Sequence, residues 1–395
     1  MVTLTAQGVG LAAAIVSAVC CSASGTVAVA VIRTPTAITL SRTDLTLEAG
    51  DTAHLTASVV DGGGVEIADL VIDWTSSNPA VATVTSEAGS RAVVSAAAAG
   101  IAVVTARVAG LGAEARVAVA ASDAPPVPMA NECGAPRAGW VWCDDFEVDR
   151  VRSYFEYADA GGSFVRAASV GVGGSIGMRA RFAAGQVDAG ALHLALGRTP
   201  QSYFRPADDG ARDHRELYWR IFVRNQPGWT GGGGDKLSRA FIFASPTTWA
   251  QAMIAHVWSG SGAASNYLMI DPASGTDESG NLRTTRYNDS GNLRWLGSRH
   301  STTPVFDSGH VGQWQCVEAR VRLNDPAASN GVFQLWINGS LEAERTDLNW
   351  IGAFNEYGLN AVYIENYWND GSPVAQERYL DNFVVSTEPI GCGAG

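Results

Sequence analysis

The segment Gly228–Phe243, GWTGGGGDKLSRAFIF, carries the single lysine of the chain. Lys236 is the only lysine among 27 basic residues, and the other 26 are arginine. It follows four glycines and Asp235, at the start of an apolar segment that is typical of a strand. An ammonium in this position could neutralise the carboxylate of an anionic substrate, and the glycines could allow close approach of a ligand. A coding bias toward arginine explains the same pattern without any chemistry, and the sequence leaves both explanations open.

Two further side chains complete a set for proton transfer. Successive side chains of a strand point to opposite faces, so His256 in AMIAHVW and Tyr267 in NYLMID lie opposite an apolar row. We predict that Lys236, His256 and Tyr267 are catalytic. The cation would acidify the proton α to a sugar carboxylate, an imidazole or phenolate would remove that proton, and a phenol would protonate the departing oxygen.

Four residues are predicted to bind substrate around this set: Tyr218, Arg220, Ser238 and Trp258. Alternation places Ser238 on the face of Lys236 and Trp258 on that of His256, while Tyr218 and Arg220 lie opposite the apolar row of ELYWRIFVR. The grouping requires these strands to be neighbours in one sheet. A structural explanation also exists for Lys236 as a surface charge, for His256 as a packing residue, for Tyr267 as a common strand residue and for Arg220 as an ion-paired residue.

Length and composition restrict the classes of protein. A chain of 395 residues with 46% hydrophobic residues is globular and long enough for two domains. A net charge of −12 and a pI near 4.9 disfavour nucleic acid and anionic membrane surfaces as partners. We expect a monomer whose partner is an anionic polysaccharide.

The N-terminal region, 1–30, is predicted to be an export signal or lipoprotein leader. The first 32 residues carry no charge, and Val9–Val19 is apolar. SAVC, Ser17–Cys20, is similar to a lipoprotein cleavage box. No later apolar segment reaches the ~20 residues of a membrane span. We therefore expect a secreted or cell-surface protein.

Four cysteines follow the leader, and an even number in an oxidising compartment favours disulfides. Three pairings are possible. We favour Cys133 with Cys143, as a local link, and Cys316 with Cys392, which ties the C-terminus to a strand. No CxxC or HExxH spacing indicates a zinc site.

Short alternating segments separated by turns fill residues 35–121, and this spacing is typical of a β-sandwich. The phrases WTSSNPAVATV, Trp74–Val84, and AAGIAVVTARV, Ala98–Val108, resemble the bacterial group-2 immunoglobulin-like domain. The resemblance implies that Trp74 is a core residue and that the domain is a spacer or adhesive unit. A proline-rich linker, 122–138, follows.

Residues 139–395 again contain many strands and no amphipathic helix, as expected for a β-jelly roll of two sheets. The sequence resembles concanavalin A-like domains of polysaccharide-active proteins, in particular alginate and glucuronan lyases. The resemblance rests on four segments and on GGDKLSRA, Gly233–Ala240, in which Asp235 is inserted and Ser238-Arg239 replaces Pro-Gly of the lyase motif. The four segments are CDDFE (143–147), WQCVEARVRLN (314–324), NGVFQLWINGS (330–340) and YLDNFVVS (379–386). The resemblance implies a uronate polysaccharide lyase.

Two other functions remain open. A non-catalytic lectin or adhesin would use outward aromatic residues such as Trp336, Tyr363 and Tyr367 to bind sugar. A glycoside hydrolase would need two carboxylates ~5–9 Å apart, and Glu365 and Asp381 are isolated acids. We expect no cofactor. The acidic loop Asp271–Asn281 offers oxygen ligands for a structural calcium ion, although its spacing differs from an EF-hand.

Overall fold

A computed structural model describes residues 10–17, 24–31, 33–48, 51–68, 70–87, 89–97, 99–120, 131–326 and 328–392. In the first two ranges it describes the backbone alone, as the antiparallel strands Gly10–Ser17 and Ser24–Val31. The rest of the predicted leader and residues 121–130 of the predicted linker lie outside the described residues. The leader therefore stays a prediction. No helix within the described ranges is long and apolar enough to cross a membrane.

The chain divides into two compact units, the first made chiefly of residues before Ala120. Besides the N-terminal strand pair, this unit has two sheets of four strands, ordered β4-β10-β9-β6 and β3-β5-β8-β7. Trp74 is buried, as the sequence predicts. The assignment to the immunoglobulin-like group stays a prediction. The strands are β1 Gly10–Ser17, β2 Ser24–Val31, β3 Pro35–Leu40, β4 Asp44–Glu48, β5 Thr52–Asp61, β6 Asp73–Ser76, β7 Ala82–Ser86, β8 Arg91–Ala96, β9 Gly100–Val108 and β10 Leu111–Ala120.

The second unit is also built almost entirely of strands, with five short 3₁₀ turns. The strands are β11 Trp140–Asp144, β12 Glu156–Ala158, β13 Phe164–Ala167, β14 Gly177–Phe182, β15 Asp188–Ala195, β16 Glu216–Asn225, β17 Asp235–Phe243, β18 Gln251–Ser259, β19 Leu268–Ser274, β20 Arg294–Trp295, β21 Arg299–His300, β22 Gln315–Arg322, β23 Gly331–Ile337, β24 Ser340–Leu348, β25 Ala361–Trp368 and β26 Gln376–Ser386. The 3₁₀ turns are Glu132–Gly134, Val151–Ser153, Val172–Gly174, Ser202–Phe204 and Gly262–Ala264.

Two antiparallel sheets of eight strands form this unit. Sheet A has the order β13-β14-β26-β16-β22-β23-β24, with β11 also paired to β26. Sheet B has the order β12-β15-β25-β17-β18-β19-β20, with β21 also paired to β19. The main hydrophobic core combines buried residues of both sheets. The all-β, jelly-roll class predicted from the sequence is confirmed.

Both favoured disulfides are confirmed. Cys133 is bonded to Cys143, and Cys316 on β22 is bonded to Cys392. Glu132, next to the first disulfide, already belongs to the second unit, because its carboxylate pairs with buried Arg220.

A β-bulge near the start of β17 determines which side chains face outward. The register with both neighbouring strands shifts between Lys236 and Ser238. Because a bulge adds one residue to one strand, it reverses the alternation of faces beyond it. Leu237 packs in the main core, whereas Phe241 and Phe243 belong to a separate aromatic cluster. The bulge therefore brings Arg239, three positions after Lys236, to the same face as Lys236.

Candidate active site

The candidate site lies on the face of sheet B that is turned away from the core, called here the outer face and defined by Lys236, Arg239, His256, Trp258, His193, Tyr363, Glu365 and Tyr367. Two rows of cross-strand partners build it. Lys236 lies between Trp258 and Tyr367, and Arg239 lies between His256 and Tyr363. Directly paired residues of antiparallel strands share a face, with Cβ atoms about 5 Å apart. Register alone therefore concentrates these side chains at the centre of the sheet.

Lys236 is buried on this face without an acidic partner. Its side chain is 8% exposed, and its Nζ lies 4.2 Å from the centre of the Tyr367 ring. Within the part of the chain that the structure describes, its ammonium forms no ion pair and no hydrogen bond. Burial, followed by repulsion from Arg239, lowers the pKa of Lys236 to about 8, although Glu365 and Asp188 partly oppose the shift. The site thus holds a cation that lacks a neutralising anion.

His256 supplies a neutral imidazole beside this cation. Its Nδ1 lies 3.1 Å from the backbone oxygen of Asp271, and its ring stacks on Trp258 with centroids 4.6 Å apart. Nδ1 therefore carries the hydrogen and donates it, which leaves the Nε2 lone pair free. Burial, followed by the charges of Arg239 and Lys236, lowers the pKa of His256 well below 6.5. The ring is thus set up to accept a proton rather than to carry one.

A buried ion pair that the sequence analysis missed lies next to both groups. Arg239 makes two hydrogen bonds to the Glu365 carboxylate and two more to Tyr287 Oη, at 2.9 Å, and Asn288 Oδ1, at 3.0 Å. Burial alone would raise the pKa of Glu365, but Arg239 and Lys236 bring it below its usual value. Because Arg239 already has an acidic partner, Lys236 is the side chain left to meet an external carboxylate.

Two polar atoms of the outer face have no partner. Trp258 Nε1 and Tyr363 Oη are buried and make no hydrogen bond to any described residue. Buried polar groups are normally paired, so an unpaired one calls for an explanation, such as a catalytic role or a bound water or ion. Trp258 pairs with Lys236 and Tyr363 pairs with Arg239, so both atoms belong to residues that flank the two cations.

The backbone conformation and close packing of the loop before Lys236 require glycine. Gly232, Gly233 and Gly234 all have positive φ, which side chains rarely tolerate. A Cβ at Gly233 would lie 2.8 Å from Trp368 Nε1, and one at Gly234 would lie 2.7 Å from Asn369 Nδ2. The loop therefore packs closely on the turn after β25. This requirement accounts for the glycines without a ligand.

The structure corrects the position of three predicted binding residues. Tyr218 and Arg220 do face away from an apolar row, but β16 belongs to sheet A, so they lie far from Lys236. Arg220 is 1% exposed and paired with Glu132, and Tyr218 donates to Glu216. Ser238 points into the interior because of the bulge and accepts a hydrogen bond from Trp219 Nε1 at 2.9 Å.

Tyr267 is not the phenol in contact with the cation. Tyr267 sits in the turn before β19, and no hydrogen bond or ring contact between described residues joins it to Lys236 or His256. The phenol beside Lys236 is instead that of Tyr367 on β25, which is 36% exposed. The sequence analysis treated Tyr367 only as a sugar-binding aromatic residue. Trp258, which pairs with Lys236 from the other side, does lie on the outer face as predicted.

Asp271 and Glu365, two of the acidic groups on this face, do not form a hydrolase pair. Asp271, directly opposite His256, is half-buried, and burial raises its pKa to about 6. Glu365 lies on β25, and β19 and β25 are separated by two intervening strands. Three strand spacings amount to about 14 Å in a flat sheet, beyond the ~5–9.5 Å between catalytic carboxylates of glycosidases. Glu365 is moreover bound to Arg239.

The loop considered for calcium is occupied by its own contacts. Asp277 accepts hydrogen bonds from the backbone and side chain of Asn281 and pairs with Arg283 at 2.8 Å. Among the residues that the structure describes, no three histidine, cysteine or acidic side chains come together as metal ligands.

A cavity of about 340 Å³ lies elsewhere in the second unit, beside Trp140, Asp208, Arg212 and His214. His214 Nε2 lies 3.0 Å from Asp208 Oδ2, and the other oxygen of Asp208 accepts from the backbone of Gly197. His214 and Asp208 thus satisfy each other, whereas Lys236 has no ion pair among the described residues. We place the candidate site on the outer face for this reason.

Several solved structures are similar to part of this chain. No family model matches the chain, and no curated protein sequence matches it. An endo-β-1,4-glucuronan lyase from the fungus Trichoderma reesei is 13% identical, with a TM-score of 0.44 over 63% of this chain and 95% of that chain. A marine alginate lyase from Aplysia kurodai is 10% identical, with a TM-score of 0.44 over 63% and 100% of the two chains. An alginate lyase from a Chlorella virus is 12% identical, with a TM-score of 0.41 over 59% and 99%. At these values the likeness says nothing about the reaction of this chain.

Proposed function

We propose that this chain is an exported polysaccharide lyase that cleaves a uronate-containing polymer, of the alginate or glucuronan type, by β-elimination. One observation carries the proposal: a buried ammonium without an acidic partner shares the outer face of sheet B with a neutral imidazole whose Nε2 is free. A sugar carboxylate would supply the missing anion. The imidazole would then accept the proton that the neutralised carboxylate has made more acidic.

Each step of the elimination has a candidate group. Lys236 would bind the carboxylate of the uronate and stabilise the negative charge that develops there. His256 Nε2 would remove the α-proton, and electrons of the broken C–H bond would form the double bond as the bond to the leaving oxygen breaks. Tyr367, next to Lys236, would give its proton to that oxygen. Trp258 would stack on a sugar ring.

The test is an assay of the purified chain with alginate and with glucuronan. Elimination creates a double bond conjugated to a carboxylate, so ultraviolet absorbance should rise as the polymer shortens. Lys236→Met is expected to reduce kcat by about 10²–10³, in line with removal of one charge-stabilising group. His256→Gln should reduce it by about 10²–10⁴. His54→Gln, in the first unit, is the matched control and should leave the rate unchanged.

Two phenylalanine variants decide which phenol takes part. Tyr367→Phe should lower kcat, because it removes the hydroxyl beside Lys236, while Tyr267→Phe should leave it unchanged. The opposite result would return the role of proton donor to Tyr267. If neither polymer yields an unsaturated product with the unmodified chain, the proposed reaction is wrong.

Sugar binding without cleavage is the second candidate function. Trp295 is 43% exposed and Tyr367 36%, and the Trp295 ring lies 5.9 Å from that of Trp258, nearly parallel to it. Exposed aromatic rings of this kind can stack on sugars in a lectin as well as in an enzyme. Retardation of the chain in gels that contain intact alginate or glucuronan, without a rise in absorbance, would favour binding alone.

A further inference from the structure

We propose that His193 on β15 forms a second sugar-binding subsite, which takes a uronate unit further along the polymer from the one held by Lys236. The proposal rests on the proposed function, because it assumes that the ligand is a polymer of sugar acids. It adds a residue to which the sequence analysis gave no role, at the opposite end of the outer face from His256.

A carboxylate and a phenol hold the His193 ring in place. Its Nδ1 lies 2.8 Å from Glu156 Oε2, and the other oxygen of that carboxylate accepts from Tyr203 Oη at 2.8 Å. Burial alone would raise the pKa of Glu156, but its hydrogen bonds to His193 and Tyr203 bring it below its usual value, so the group is ionised. An ionised Glu156 fixes the hydrogen of His193 on Nδ1, as a carboxylate does for imidazoles that act on substrates or metals.

The plane of the ring is fixed as well. His193 stacks on Tyr363 with ring centroids 3.7 Å apart and an angle of 13° between the planes. Nε2 is consequently directed by two independent contacts, and it forms no hydrogen bond to any described residue. The neighbouring Tyr363 Oη is buried and unpaired too. An imidazole held this firmly, with one nitrogen unused, is suited to bind an oxygen atom of a ligand.

Strand register puts His193 in the row of His256. His193 pairs with Tyr363, Tyr363 with Arg239, and Arg239 with His256, so all four share the outer face. His193 and His256 are three strand spacings apart, about 14 Å in a flat sheet. One sugar ring cannot reach both imidazoles. A polymer that crosses the strands would therefore place one unit at Lys236 and His256 and a unit further along the same polymer at His193.

His193→Gln in the full chain tests this subsite. Steady-state kinetics on alginate and glucuronan, and calorimetry with a tetrasaccharide of each, should show KM and Kd raised by about tenfold or more, with kcat within about threefold. Tyr203→Phe, which releases one oxygen of Glu156, should change KM and Kd in the same direction by less. His54→Gln repeats the substitution at an imidazole that also pairs with a carboxylate, Glu87, and should change nothing.

The outcomes separate this proposal from the proposed function. Unchanged KM and Kd in His193→Gln, with normal turnover by the unmodified chain, would overturn the subsite and leave the lyase intact. A loss confined to kcat would overturn it too, because His193 would then act in the reaction itself. Tetrasaccharide binding that His193→Gln weakens, in a chain that cleaves nothing, would support the subsite and refute the lyase. Failure of the unmodified chain to bind or cleave either polymer would overturn both. If His193→Gln fails to fold, Tyr203→Phe decides the matter by the same measurements.

Discussion

Replacing Lys236 with methionine should stabilise the second unit at neutral pH while it removes activity. Burial and then Arg239 lower the pKa of Lys236 from 10.5 to about 8. Each pKa unit corresponds to 1.36 kcal/mol, so the charged side chain lowers the free energy of unfolding by about 3 kcal/mol at pH values well below 8. Methionine retains the buried stem but loses about 0.5–1 kcal/mol of attraction to Tyr367. We expect a net gain of about 2 kcal/mol.

The pH dependence gives the sign of the effect independently. Because the folded pKa lies below the unfolded value, the unfolded chain binds the proton more tightly between about pH 8 and 10.5. The stability of the unmodified chain should therefore rise relative to Lys236→Met across this interval. Urea unfolding followed by tryptophan fluorescence measures it, since 11 of the 12 tryptophans follow the predicted linker. A variant less stable than the unmodified chain at neutral pH would refute the reasoning, because it would mean that Lys236 has a stabilising partner.

Three further predictions concern the Arg239–Glu365 ion pair, the pKa of Lys236 and the Cys316–Cys392 disulfide. Arg239→Gln leaves Glu365 buried without its partner and should lower the free energy of unfolding, measured in urea, by about 3–5 kcal/mol. Arg283→Gln, at an exposed ion pair, is the control and should change this free energy by less than about 1 kcal/mol. Equal effects of the two substitutions would contradict the buried pair. An amine-specific acylating reagent should modify Lys236 at a rate that rises through about pH 8, and bound polymer should slow this modification. Mass spectrometry of the peptide that contains Lys236 measures both effects. A rate whose pH midpoint lies near the ordinary pKa of lysine would contradict the lowered pKa. Replacing both Cys316 and Cys392 with alanine removes a disulfide whose sequence separation is 76. A denaturant titration should show that the free energy of unfolding falls by about 4 kcal/mol. No change would mean that the disulfide is not formed.

Alternation in the sequence predicted the faces of regular strands. Met253, Ala255 and Val257 on β18 pack in the core as expected, and His256 and Trp258 lie on the outer face. Alternation works there because β18 pairs with β19 without a register shift. The local spacing of Cys133 and Cys143, with the other two cysteines left over, was equally sufficient for the disulfides.

The same rule failed where the structure depends on distant pairing. The residues LSRAFIF give no indication of the bulge in β17. Alternation therefore placed Ser238 on the wrong face and overlooked Arg239. Alternation also separates the two faces of a strand without revealing its sheet, and β16 joins sheet A through β22 and β26. The acid that neutralises Arg239 lies 126 residues away along the chain. Only the arrangement of β17 beside β25 makes this pair visible.

The distribution of charge around the bulge explains why Lys236 follows an inserted aspartate. Arg378 on β26 lies between the sheets, where it pairs with Asp235 and donates a hydrogen bond to the backbone oxygen of Lys236 at 3.2 Å. Asp235 therefore anchors the start of β17 from inside while Lys236 points outward. Arg378 has Asp235 and Arg239 has Glu365, so each of these two buried cations has its own carboxylate. Lys236 alone of the three has none among the described residues, and a uronate bound there would complete the pattern. This is why we assign the carboxylate of the substrate to Lys236 rather than to either arginine.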